Sequence, residues 1–141
     1  MENIVRRTAT GALALLLLAG CGLAAAADRG RTAAGGPYVM GGIGLDEVQA
    51  LQQEKDRYNL WVRTAARGSG EYLADVQLLI ADAQGRAVFN QPLSGPWLLV
   101  DLAPGTYTLY ASWHGQKAPP RKLTVPPQGR RDAVFYFDSP D

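Results

Sequence analysis

What this chain lacks narrows its chemistry first. Its 141 residues include one cysteine and one histidine, and its 14 basic side chains nearly balance 13 acidic ones. A lone cysteine forms no internal disulfide, so the framework typical of small secreted domains is absent. A lone histidine gives no zinc-ligand spacing, and His114, in "WHGQ", reads as an exposed residue at a hairpin tip. Ser69 in "RGSGE" and Ser94 in "LSGP" both lie outside a G-x-S-x-G elbow, and His114 is not assignable as base to either. Asp75, Asp82, Asp101 and Asp132 are scattered, without the spacing of a calcium loop. "GGIG" lacks both the preceding strand and the Lys-Ser/Thr of a phosphate loop. Balanced charge without clustered Lys or Arg argues against a nucleic-acid partner. After residue 27 no apolar run approaches the roughly 18 residues of a membrane span. The expectation is a non-enzymatic protein that uses no metal or cofactor.

The N-terminus carries a distinct signal. Arg6 and Arg7 precede a small and apolar run from Gly11 to Gly20, the charge-then-apolar order of a secretory signal peptide over residues 1–20. Two processing sites compete. Leu18-Ala19-Gly20-Cys21 resembles the bacterial lipobox. That resemblance implies a lipid on the Cys21 thiol, cleavage before it and an acylated new amino terminus. Gly22, rather than an acidic residue, follows, which in the same terms implies an outer-membrane lipoprotein facing the periplasm. Ala25-Ala26-Ala27 instead offers an A-x-A site for ordinary signal peptidase, which would discard Cys21 and release a soluble periplasmic protein. The lipobox leads, because all four of its positions fit and the apolar run ends in the right place. Cleavage before Cys21 removes Arg6, Arg7 and Glu2, and leaves the mature chain electrically balanced.

Residues 21–44, rich in Ala, Gly and Arg, show no apolar period and read as a flexible tether. Residues 45–58, "LDEVQALQQEKDRY", read as one short helix with Asp46 as N-cap and Gln49 echoing a capping box. Val48, Leu51 and Tyr58 form its apolar stripe, and Met40 and Ile43 are expected to help seat it.

From residue 59 to 138 the period becomes two. Seven short stretches alternate: "NLWVRTA", "ADVQLLIAD", "GRAVFNQ", "WLLVDL", "TYTLYASW", "RKLTVP" and "RDAVFYF". "DAQG", "QPLSGP", "LAPG", "HGQ" and "PPQG" separate them. Short strands with turns at this spacing predict an antiparallel β-sandwich. The inward set includes Leu60, Val62, Val76, Leu78, Ile80, Ala87, Phe89, Leu98, Val100, Tyr107, Leu109, Leu123, Val125, Ala133, Phe135 and Phe137. Pro104 and Gly105 are expected to complete a turn before the Tyr107 strand. Prolines on both sides of "RKLTV" predict an edge strand.

"LADVQLLIADAQGRAVF" followed by "LLVDLAPGTYTLYASWHGQ" resembles the carboxypeptidase regulatory-like domain family, most specifically at Leu102, Pro104, Gly105, Tyr107 and Leu109. The resemblance covers residues 59–138. It implies an all-β, seven-stranded antiparallel transthyretin (prealbumin)-like sandwich, here with one short N-terminal helix, and a binding or folding-support role without catalytic residues.

Aromatic rings are dense for so small a domain. Trp61, Trp97, Tyr110 and Trp113 are the candidate binding residues, and Tyr110 points to the opposite face from Tyr107 and Trp113. The plainer expectation is that these rings cover a sheet beneath residues 45–58. The leading functional expectation is a lipid-anchored envelope interaction or accessory module, its partner an envelope protein or glycan. The alternative is carbohydrate or peptidoglycan recognition through exposed rings.

Overall fold

Alternating stretches become strands because one side of each can be buried between two sheets while the other meets solvent or a covering element. The computed structural model describes residues 27–139, so the expected signal peptide and Cys21 lie outside the described residues. It is an all-β sandwich with one short helix. In chain order the elements are β1 (Asp28–Arg31), β2 (Pro37–Gly41), α1 (Leu45–Glu54), β3 (Leu60–Ala66), β4 (Gln77–Ala81), β5 (Ala87–Pro92), β6 (Trp97–Val100), β7 (Gly105–Trp113), β8 (Gln116–Lys117), β9 (Arg121–Val125) and β10 (Arg131–Phe137). The first sheet runs β1-β2-β6-β3-β10, and in the second β5-β4-β7 continues to β8 and β9, both paired with β7.

The seven expected strands are β3–β7, β9 and β10, but the described residues hold ten, not seven. The expected flexible tether is also corrected: residues 28–41 form the β1–β2 hairpin, and β2 pairs with β6 in the first sheet. Within this stretch Gly36 and Gly41 are sites of close approach. A β-carbon on Gly36 would collide with the Asp101 carbonyl, and one on Gly95 with the backbone of Gly41. A wholly antiparallel arrangement is corrected as well, because β3 and β10 pair in parallel over seven residues. Local turn signals report which neighbours fold back on one another. They say nothing of the last strand crossing to the opposite sheet.

Leu60, Val62, Leu98, Val100, Ala133, Phe135 and Phe137 of the first sheet meet Val76, Leu78, Ile80, Phe89, Leu109, Ala111 and Val125 of the second in one core. Two expected core residues differ. A register shift beside Ala81 sets it opposite Ala87 and leaves Ala87 exposed, while Leu123 on edge strand β9 is half-buried. Thr64 is fully buried and satisfied, its hydroxyl donating to the Leu73 carbonyl at 2.6 Å.

Particular side chains pin the turns. Asp82 Oδ1 accepts from the backbone N–H groups of Gln84 and Arg86, and Gly85 takes φ 81°, as a tight hairpin requires. Gly105 opens β7 opposite Val125, so Ala103 and Pro104 make the knuckle ahead of it. The Tyr107 hydroxyl donates back to the Ala103 carbonyl at 2.6 Å and braces that knuckle. At the β9 edge, Arg121 donates to the Val134 carbonyl and Arg131 to the Thr124 carbonyl, stitching β9 to β10 across the sandwich.

The helix also departs from expectation. It ends at Glu54, and one 3-10 turn, Lys55–Arg57, leads out of it. Gly44, not Asp46, is the N-cap, without a side-chain cap bond. Glu47 reaches back instead, its Oε1 accepting from the N–H groups of Gly42 and Ile43. Met40 faces the inter-sheet core and Ile43 is exposed, so neither seats the helix.

Candidate functional site

The four candidate aromatics are not gathered into one site. Trp61 on β3 and Trp97 on β6 point out of the first sheet and are covered. They pack with Val39, Leu51, Tyr58 and Leu99 in a second apolar cluster under α1, their ring centroids 4.8 Å apart. Trp113 lies in the inter-sheet core, donates its indole N–H to the Ala74 carbonyl and stacks on His114 at 4.0 Å. His114 sits at the hairpin tip with φ 47°, followed by Gly115 at φ 80°. Of the four, Tyr110 alone is exposed, at 44%.

Cations surround the covered face. The Arg63 guanidinium lies 4.2 Å from the Trp61 ring centroid, with Lys55 at 5.1 Å and Arg130 at 5.8 Å. Arg130 is also held by Asp56 and Asp132. Such contacts contribute about 0.5–1 kcal/mol each where partly solvated, and they stabilise the cover over this sheet.

The outer face of the second sheet is different. Alternation along β7 buries Tyr107, Leu109, Ala111 and Trp113, and leaves Thr106, Thr108, Tyr110 and Ser112 facing outward. Register then builds a surface row by row. Pro92, Gln77, Ser112 and Lys117 form one row, and Asn90, Leu79 and Tyr110 the next. A groove of about 450 Å³ runs over these rows, extended by Ala118 and Pro120 beyond β8. The Tyr110 ring and Leu79 supply an apolar floor, surrounded by two side-chain amides, a hydroxyl and an ammonium. Below it, a second hollow is lined by Thr106, Thr108, Lys122 and Thr124, with the hydroxyls of Thr106 and Thr124 3.3 Å apart.

Such a set can stack on an apolar ring face and exchange hydrogen bonds with hydroxyls and amides. Among the described residues no three or more His, Cys, Asp or Glu side chains cluster as metal ligands. Perturbed ionisations fall on structural contacts. Burial, and then the charge of Asp82, raises the Tyr107 pKa. Asp82 is held below its ordinary range chiefly by the Arg86 backbone N–H. Glu54 is lowered chiefly by its hydrogen bond with Arg29, whose own pKa is raised by the same contact.

Gln77, Asn90, Ser112 and Lys117 were missed as site residues, although strand alternation carried the signal for the first three. The alternation that sends Leu78 and Ala111 inward sends Gln77 and Ser112 outward beside Tyr110. Tyr72 was also missed. It is half-exposed at the rim of the covered face, edge-on to Trp97. No protein-family model and no curated protein sequence matches the chain.

Proposed function

We propose that this protein is a non-enzymatic binding module of the bacterial cell envelope that recognises carbohydrate, with peptidoglycan as the ligand class. One observation carries the reading: an exposed tyrosine beside Leu79 on an uncovered sheet, flanked by the amides of Gln77 and Asn90, the Ser112 hydroxyl and the Lys117 ammonium. A sugar offers an apolar C–H face to an aromatic ring and a rim of hydroxyls to amides, and peptidoglycan adds carboxylates that suit a lysine. A protein-binding accessory module, the other reading, would be favoured by a flat apolar patch. The second sheet's outer face instead sets Tyr110 and Leu79 among threonines, amides and lysines.

The export route belongs to the same proposal. The charge-then-apolar signal and the lipobox-like Leu18-Ala19-Gly20-Cys21 support secretion and a lipid on Cys21, placing the domain on the periplasmic side of the outer membrane. Among the described residues no helix is long and apolar enough to cross a membrane. We further assign the sandwich to the carboxypeptidase regulatory-like, transthyretin-like type. Tyr107, which braces the Ala103–Pro104 knuckle in the stretch carrying that resemblance, supports the assignment.

Cosedimentation of the mature protein with purified peptidoglycan sacculi tests the reading. Wild type is expected to pellet with sacculi, and Tyr110→Ala to bind at least about tenfold more weakly, a loss near 1.4 kcal/mol. Equal pelleting by the two proteins would remove Tyr110 from the function, and absence of pelleting by wild type would refute peptidoglycan as the ligand.

A further inference from the structure

The β1–β2 hairpin shortens the proposed lipid leash drastically. Asp28 is already paired with Met40 in the first sheet. Ala27 packs on the Trp61–Trp97 cluster beneath α1, and a β-carbon on Gly41 would stand 3.5 Å from its own. Cys21 and Ala27 are therefore joined by six residue steps, whose full extension is at most about 22 Å whatever their conformation. An anchor on Cys21 holds this one corner of the domain against the bilayer.

That corner carries the largest fractional exposures among the exposed large hydrophobic residues: Ile43 at 61% and Leu45 at 72%. Both follow Gly41 closely in the chain, at the turn where Glu47 holds the N–H groups of Gly42 and Ile43. Its charges do not attract acidic lipid. Asp28 and Asp46 are exposed carboxylates, while the Arg29 guanidinium is engaged by both carboxylate oxygens of Glu54. Attraction to a membrane here must be apolar, unlike that of a polybasic patch.

Resting on the Cys21 anchor, we infer that Ile43 and Leu45 form a membrane-docking tip that enters the interfacial layer of a zwitterionic lipid surface. The fold then sets the orientation of the whole domain. The first sheet's outer face, with Ala27 and α1, turns toward the bilayer. The second sheet's outer face, with Tyr110 and its groove, turns away from it toward the space where the glycan lies.

Photolabelling tests this on the full chain made in a lipoprotein-competent bacterium. Intact mass first establishes whether Cys21 carries lipid. The protein is then placed in phosphatidylethanolamine-rich vesicles containing a lipid with a diazirine on its acyl chain, irradiated and mapped by peptide mass spectrometry. Because an interfacial segment lies about 5–10 Å deep, adducts are expected on residues 43–45 at about tenfold or more above those on residues 110–117. Ile43→Ser combined with Leu45→Ser should remove these adducts while the lipid mass on Cys21 persists. A lipidated chain labelled on the second sheet, or nowhere on residues 43–45, overturns the docking tip and leaves the anchor standing. A mature chain without lipid overturns both together.

Discussion

The two outer faces of this sandwich are built from the same kind of strand and meet opposite fates. On the first sheet, Val39, Trp61, Trp97 and Leu99 point outward and are buried, because α1 and Tyr58 cover them. On the second sheet, Thr106, Thr108, Tyr110 and Ser112 point outward and stay at least partly exposed. The sequence pattern differs accordingly. All four residues of β6, "WLLV", are buried, whereas β7 alternates along its length. A continuous apolar run marks a strand covered on both sides, and clean alternation marks one face left to solvent. The covered tryptophans and Tyr110 therefore carry different meanings, although Tyr136 at the β10 edge of the first sheet is exposed too. Trp61 and Trp97 hold a cover in place, and Tyr110 is available to a ligand.

Removing what completes the covered sheet should have the largest effect. A fragment beginning at residue 45 lacks β1 and β2 and strips β6 of one neighbour. It should lose cooperative thermal unfolding altogether, whereas a chain beginning at Ala27 should retain it. If the shorter fragment melts like the longer one, the hairpin is an accessory and not part of the fold.

Single substitutions sharpen the contrast. Trp97→Ala, at 2% exposure beneath the helix, should cost about 3–5 kcal/mol by urea unfolding. Tyr110→Ala should stay within about 0.5 kcal/mol of wild type in the same titration. Similar losses at both positions would mean that the second sheet is covered too. Gly95→Ala is expected to destabilise by about 1–3 kcal/mol, because its new methyl group presses on the Gly41 backbone.

The smallest effect is electrostatic. Arg29 on β1 and Glu54 at the end of α1 are joined by paired hydrogen bonds of 2.9 and 2.6 Å, with the arginine side chain 57% exposed. Pairing holds the Glu54 pKa below its ordinary value near 4.5, so its contribution is complete above that value and is lost as pH falls through the lowered one. With the arginine this exposed, solvent screening holds the contribution to about 0.2–1 kcal/mol. The stability difference between wild type and Glu54→Gln should thus be present at pH 7 and vanish at strongly acid pH. A difference that grows on acidification contradicts this sign.

Much of the second sheet was legible, since period-two alternation and turn chemistry placed β4, β5, β7 and β9 and identified Tyr110 as outward-facing. The β1–β2 hairpin was not. Two of its glycines allow close packing, Gly36 against Asp101 and Gly41 against Gly95, but composition alone reads as slack chain. The parallel pairing of β10 with β3 was also hidden, because it joins residues about seventy apart, and the turn signals between them report only local reversals. The groove was half legible. Strand phase assigned Gln77, Leu79, Asn90, Tyr110 and Ser112 to one side, and register, which no single strand records, made Gln77, Ser112 and Lys117 neighbours.

The most direct measurement is two-dimensional NMR of the labelled mature protein, titrated with soluble peptidoglycan fragments. The account predicts shift changes confined to Gln77, Leu79, Asn90, Tyr110, Ser112 and Lys117, unmoved indole signals of Trp61 and Trp97, and no response in Tyr110→Ala. Changes centred on the Trp61 and Trp97 indoles, or a spectrum unaltered by the fragments, would contradict it.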